Sequence, residues 1–307
     1  MPSALRQDLP TSPAHIAELA RRHGLQVTPD SIRLNDVGLD YRVAYATTDQ
    51  GEDWILRMPR RRGMGESITT EAAILDLVSG HLSVAVPQWQ VANEDLIAYP
   101  KLPGSPGLTI DDQQQPTFHV DPASPAYAAG LGGLVAQLHA IEMDAVRAAG
   151  LPVVTIGQVR AKHREDLQQV AAAFTIDTDL LERWHRWLDT DSYWPTDTVF
   201  NHGELYQAHV LLDADETITG VLDWTTAAVG DPARDLALQY MSAPAEAFEL
   251  TVASYRDAGG QTWPRLAEHC AELVAFFPVS YALYALTTGA PEHAEAAQAQ
   301  LTPSTQR

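Results

Sequence analysis

At 307 residues, with 45% hydrophobic and 20% charged content, the chain can bury one large core or two medium ones, and wholesale disorder is excluded. Lys and Arg number 20 against 40 Asp and Glu, and the net charge of −20 repels nucleic acid and anionic membrane while favouring cationic small molecules. The single cysteine, Cys270, excludes a disulfide framework or thiolate zinc cluster. No signal-like run opens the chain and no segment reaches the roughly 20 apolar residues that span a bilayer, so a cytoplasmic location without a membrane partner is expected.

Residues 15–24 form the first expected helix, with Ile16, Leu19 and Ala20 on one face and Gly24 at its end. Residues 42–48 and 54–58 alternate as a β-hairpin around Asp49-Gln50-Gly51. After the basic turn Arg60-Arg61-Arg62-Gly63, helical spacing of Glu71, Ile74, Leu75 and Val78 puts Glu71 on or beside an inward stripe. Strand-like runs over 87–91 and 96–99 complete an antiparallel sheet with one packed helix. The Pro and Gly cluster from Pro100 to Gly107 marks a hinge near residue 102, dividing the chain into 1–102 and 103–307. From Ala126 onward the pattern is mainly helical, and Gly130 to Gly133 inside it serve close helix packing. The expected fold class is α+β.

The chemistry concentrates in Asn201-His202-Gly203-Glu204-Leu205-Tyr206-Gln207-Ala208-His209. Glu204 can orient an acceptor hydroxyl, which makes it and His202 the candidate catalytic residues, and His209 follows five residues on. Paired strands over 209–212 and 218–222 return Asp223 beside His209, so these two are the candidate Mg²⁺ ligands. Arg57 is a lone charge in an apolar strand, and Glu71 is the helix carboxylate that can hold it. Strand cation, helix Glu, catalytic loop and hairpin in this order point to phosphoryl transfer. A zinc deaminase reading of His202-x-Glu204 fails for want of cysteines, and no P-loop, dinucleotide, zincin or nucleophile-elbow motif occurs.

With Gly38-Leu39-Asp40-Tyr41-Arg42, Trp54-Ile55-Leu56-Arg57-Met58-Pro59-Arg60-Arg61, Ala98-Tyr99-Pro100, Gly220-Val221-Leu222-Asp223-Trp224 and Tyr281-Ala282-Leu283-Tyr284-Ala285-Leu286, these segments carry a resemblance over nearly the whole chain. The sequence resembles the macrolide 2'-phosphotransferases, a branch of the aminoglycoside phosphotransferase-like kinases. The resemblance implies a bilobal protein kinase-like fold, with an N-lobe antiparallel sheet plus helix and a mostly α-helical C-lobe. It implies transfer of the γ-phosphate of GTP, or of ATP as the other purine donor, with Mg²⁺, to the 2'-hydroxyl of the amino sugar of macrolide antibiotics, conferring resistance.

By the same resemblance Arg57 touches the α- and β-phosphates and Glu71 orients it. Gly38, Asp40 and Tyr41 cover the phosphates, while Ala98, Tyr99, Pro100 and Leu102 hold the purine through backbone groups. Asp231 anchors the catalytic loop. The pattern departs at Glu204, where the family carries Asp, and the extra methylene moves the carboxylate by roughly 1 Å or more.

Phe276, Phe277, Tyr281 and Tyr284 around Pro278 offer an apolar floor for a macrolide, and Val274 to Leu286 holds no carboxylate for a polycationic aminoglycoside. A monomer is expected. Two readings stay open beside this one: a kinase of another small-molecule alcohol, and a nucleotide-binding pseudokinase in which Glu204 marks lost chemistry.

Overall fold

The structure is a computed structural model that describes residues 9–36, 40–111 and 115–302. In chain order its elements are α1 (Pro13–Arg22), β1 (Arg33–Asn35), β2 (Tyr41–Thr47), β3 (Asp53–Pro59), α2 (Gly65–Ser79), β4 (Val91–Ala92), β5 (Ile97–Pro100), β6 (Ser105–Pro106), β7 (Leu108–Ile110) and β8 (Pro116–Phe118). There follow α3 (Pro125–His139), α4 (Met143–Ala148), α5 (Ile156–Ala173), α6 (Thr178–Asp189), β9 (Val199–Asn201), β10 (Val210–Leu212), β11 (Ile218–Val221) and β12 (Ala228–Gly230). The chain ends in α7 (Arg234–Ser242), α8 (Ala245–Asp257), α9 (Leu266–Ala275), α10 (Phe277–Thr288) and α11 (Pro291–Leu301).

Where the sequence suggests one boundary near residue 102, the chain divides discontinuously. One compact unit comprises Met1–Tyr127, Ala145–Leu151 and Tyr206–Thr226; the other comprises Ala128–Asp144, Pro152–Leu205 and Ala227–Arg307. Strand pairing explains the difference. The β10–β11 hairpin adds β6 as a third strand, with Leu211 opposite Pro106. Ala85 then ties β11 from its other side, donating its N–H to the Thr219 carbonyl and accepting from the Val221 N–H, each at 2.9 Å.

In the first unit the sheet runs β1-β2-β3-β5-β4, antiparallel throughout. Alternation along β2 and β3 sends Ala44, Ala46, Leu56 and Met58 to a core closed by Ile16, Leu19 and Ala20 of α1. The opposite face carries Tyr41, Ile55, Ile97 and Tyr99 against Ile68 of α2. Arg57 shares the parity of Ile55, so it points to the α2 face and Glu71. The strand expected over 87–91 shrinks to β4, because Pro87 has no N–H for a ladder.

The second unit is mostly helical. Gly132 lets α3 approach α8: a Cβ there would meet the Thr251 carbonyl and the Tyr255 amide nitrogen, the latter at 2.8 Å, as the glycine-rich helix reading required. Trp184, Trp187 and Phe276 are buried together, with Trp187 stacked on Trp194 at 5.0 Å. One sequence expectation is corrected here. The stretch Leu266–Thr288, α9 and α10 in succession, is long and apolar enough by length and composition to cross a membrane. In the structure α9 packs on α7, and α10 packs on α5 and α11.

Candidate active site

β9 leads into the segment 201–205, whose shape is set from behind. The carboxylate of Asp235, fully buried in the first turn of α7, accepts the His202 N–H at 2.9 Å and the Gly203 N–H at 2.7 Å. Gly203 has φ 87°, a left-handed turn that glycine takes without a Cβ penalty. The next amide, Glu204 N–H, donates to His202 Nδ1 at 3.3 Å. Glu204 is left exposed at the tip of the turn. His202 is wholly buried, which removes it from the reacting atoms and corrects its assignment as catalytic: its ring shapes the loop.

Asp235 is itself held by a chain of hydrogen bonds that the sequence did not disclose. Gln261 N–H donates to the Tyr255 hydroxyl at 3.1 Å, the Tyr255 hydroxyl lies 2.9 Å from His139 Nδ1, and His139 Nε2 lies 3.1 Å from Asp235 Oδ2. With its oxygen accepting from Gln261, Tyr255 has its proton for Nδ1, and the ring proton on Nε2 faces the carboxylate. Burial would raise the Asp235 carboxyl, but the hydrogen bonds from His139 and from the Gly203 N–H outweigh it and hold it below the usual range. His139 closes α3, a lone histidine after an apolar stripe, and that was the only sequence signal for it.

The anchoring role expected of Asp231 therefore passes to Asp235, four residues on. The Asp231 carboxylate serves another purpose: it faces His269 Nε2 at 2.6 Å, while Trp187 Nε1–H donates to His269 Nδ1 at 3.0 Å. Only the Asp231 backbone carbonyl reaches the loop, accepting from Asn201 Nδ2 at 3.2 Å. Asp231 remains structural, as the knot joining α9 and α6.

In the other unit, Leu222 N–H donates to the His209 carbonyl at 2.8 Å, which places Asp223 beside His209 as the hairpin reading required. His209 Nε2 and Asp223 Oδ2 stand 3.6 Å apart, and the His209 ring packs edge-on against Tyr206 at 4.6 Å. Asp223 sits at φ 59° with its Oδ1 accepting from the Thr225 hydroxyl at 2.6 Å. That left-handed backbone costs a non-glycine residue about 1–3 kcal/mol and concentrates at functional positions. Among the described residues no group of three His, Cys, Asp or Glu side chains forms a metal cage. Magnesium does not require one, since it binds through one or two carboxylates plus substrate phosphates and water. Adjacent ligands each about 2.1 Å from an octahedral ion stand about 3.0 Å apart, so the 3.6 Å pair would close slightly around it, with Asp223 as the carboxylate.

Arg57 and Glu71 meet as predicted, Nη1 to Oε1 at 2.7 Å, both side chains buried. Burial works against the guanidinium charge, but Glu71 outweighs it and raises the Arg57 pKa above its ordinary value. Burial also pushes the Glu71 carboxyl up against the pull of Arg57; with a guanidinium charged at any ordinary pH, the ion pair is the relevant state. Arg57 lies over the Tyr41 ring at 4.1 Å and near Trp89 at 5.8 Å. The Tyr41 hydroxyl and Trp89 Nε1 are buried without hydrogen-bond partners, two donors beside a cation that suit an anionic ligand.

The remaining nucleotide candidates divide. Asp40 pairs with Arg61, and Gly38 lies outside the described residues. The Ala98 carbonyl accepts from Gln90 N–H at 2.9 Å and keeps its second lone pair; Tyr99 and Pro100 end β5, and Leu102 lies just past it. Of the four aromatic candidates for substrate, Phe276 is corrected to core, 3% exposed among Trp184, Trp187 and His163. Tyr281 and Tyr284 pack against His293 of α11, with Tyr281 Oη 3.0 Å from its Nδ1, and Phe277 alone is exposed.

Residues 31–269 match the family described as phosphotransferase enzyme family (APH). The chain belongs to this family. It is thus an enzyme that phosphorylates a small-molecule hydroxyl, on a protein kinase-like fold. This phosphotransferase is 48% identical to the macrolide 2'-phosphotransferase MphH from Brachybacterium faecium, solved as the apoenzyme, with 96% of this chain and 99% of that chain covered and a TM-score of 0.91. It is 40% identical to a structure described as macrolide 2'-phosphotransferase type I, at the same coverage and a TM-score of 0.88. The uncharacterized protein YcbJ of Bacillus subtilis (strain 168) is 36% identical over 282 residues, 91% of this chain and 92% of that protein. The GDP complex of an aminoglycoside 2'-phosphotransferase-IIIa shares the fold, with a TM-score of 0.73 over 94% of this chain and 96% of that chain, at 18% identity.

Proposed function

We propose that this phosphotransferase moves the γ-phosphate of GTP to the 2'-hydroxyl of the amino sugar of macrolide antibiotics, conferring macrolide resistance, and that it acts as a cytoplasmic monomer. One observation carries the reading: the 48% and 40% identities over nearly the whole chain are to macrolide enzymes, against 18% for an aminoglycoside enzyme. The solved relative with GDP supports a purine nucleotide as donor.

In this reading Glu204 accepts the proton of the attacking hydroxyl and aims it, held in place by the Asp235 grip on the two preceding amides. Arg57, pinned by Glu71, meets the α- and β-phosphates. His209 and Asp223 are the residues that would hold Mg²⁺, which would supply positive charge to the phosphates.

The test is incubation with GTP and Mg²⁺ and either erythromycin or kanamycin, followed by mass spectrometry of the drug. A gain of one phosphate on erythromycin alone is expected. A gain on kanamycin alone, or on neither, overturns the macrolide assignment; ATP in place of GTP separates the donors.

A further inference from the structure

The two candidate ion ligands are held by different means. Leu222 N–H donates to the His209 carbonyl and His209 N–H donates to the Tyr206 carbonyl at 2.9 Å, so the backbone fixes where residues 209 and 223 stand. The His209 ring is steadied further by its edge-on contact with Tyr206. None of these contacts sets the Asp223 carboxylate. Its side chain is 42% exposed, and the torsion that turns a carboxylate about its stem is broad, so a side-chain bond is needed to choose which oxygen faces His209.

Thr225 supplies one. Its hydroxyl donates to Asp223 Oδ1 at 2.6 Å, the length of a charge-assisted bond. With Oδ1 drawn to Thr225, Oδ2 is the oxygen on the His209 side, 3.6 Å from Nε2. Two features make Thr225 a firm anchor. Trp224, which Asp223 and Thr225 flank, is buried, and its Nε1–H donates to the Val221 carbonyl at 3.3 Å, so the middle of the turn is set in the core. Threonine is also stiff at χ1, which keeps its hydroxyl aimed.

An Asp side chain bonded two residues on can be a plain turn cap, in which the backbone N–H is the donor. Here the Thr225 N–H stands at 3.5 Å from Oδ1, too long for a strong bond, and the hydroxyl makes the short one. The side chain rather than the backbone therefore holds the carboxylate, at a residue whose left-handed backbone, φ 59°, already marks a functional position.

We infer that Thr225 is a positioning residue of the transfer reaction: its hydroxyl sets the Asp223 carboxylate so that His209 and Asp223 are preorganised for the divalent ion that accompanies the nucleotide. The inference rests on the metal assignment above.

The experiment measures binding of a non-hydrolysable GTP analogue across a Mg²⁺ titration, and of Mn²⁺ with that analogue by electron paramagnetic resonance, in wild type, Thr225→Val, Thr225→Ser and Asp223→Ala. Thr225 is exposed, so the isosteric valine removes the hydroxyl without disturbing the core. Thr225→Val should raise the Mg²⁺ midpoint and weaken Mn²⁺ binding about three- to tenfold, with ion-free binding of the analogue unchanged. Thr225→Ser should return both to within about twofold of wild type. If Asp223→Ala abolishes ion-dependent binding while Thr225→Val leaves the midpoint where it was, the inference alone is overturned and Thr225 is a turn cap. An equal loss of ion-free binding in Thr225→Val overturns it too, since the effect is then general. Ion-dependent binding that survives in Asp223→Ala, or is absent from wild type, overturns the metal assignment and the inference with it.

Discussion

Arg57 and Glu204 are positioned in opposite ways. Arg57 is buried with its partner Glu71 in one contact of 2.7 Å between a strand and the helix packed on it. Glu204 is exposed, and its backbone is held by Asp235, which is held by His139, which is held by Tyr255. A buried charge is fixed by one partner at high desolvation cost, whereas an exposed one is fixed by the turn beneath it. The first arrangement is therefore fragile in stability and the second in geometry.

Three substitutions separate these two modes, and a fourth serves as a control. Glu71→Ala leaves the Arg57 charge buried and unpaired, and should cost about 3–5 kcal/mol in urea unfolding; a loss under 1 kcal/mol would mean that Arg57 reaches water. Asp235→Asn keeps the shape but weakens the grip on the His202 and Gly203 amides, and should lower kcat about 100-fold with KM for GTP nearly unchanged. A rise in KM for GTP together with the fall in kcat would place Asp235 at the nucleotide instead.

A control region in the second unit titrates without touching the loop. Burial among Trp187, Trp194 and Phe276 lowers His163 from its ordinary value of 6.5 to about 4. Between those values the unfolded chain binds a proton that the folded chain does not, so His163 stability is complete above pH 6.5 and declines as pH falls toward 4. At full burial the loss is about 3 kcal/mol, and the partial exposure of this ring reduces it to about 2 kcal/mol. His163→Phe should flatten that decline relative to wild type, and parallel curves would refute it. The smallest effect is Tyr255→Phe, which removes one link of the chain to Asp235 and should cost about 1 kcal/mol in thermal unfolding.

The sequence made the Arg57 side legible because its signals are local. A lone cation in an apolar strand, a carboxylate on a helical stripe and a hairpin returning Asp223 to His209 each show within a few residues. The support of Glu204 was hidden because its members stand at 139, 235 and 255, on three helices whose packing depends on Gly132 meeting α8. Asp231 and Asp235 lie in one phrase, and spacing alone could not decide which carboxylate, the one before α7 or the one in its first turn, faces the loop. In the aromatic run at 276–284 Phe276 is core, since aromatics at helical spacing are as often core as floor, while Tyr281 and Tyr284 rest half-buried against His293 of α11.

The most direct measurement is Glu204→Gln against wild type, with GTP binding at equilibrium and phosphate transfer to erythromycin followed side by side. GTP binding should stay within twofold while transfer falls about 100- to 10,000-fold, the loss of a positioned base from an intact site. Transfer retained above a tenth of wild type would contradict the role of Glu204 and send the search for the base elsewhere.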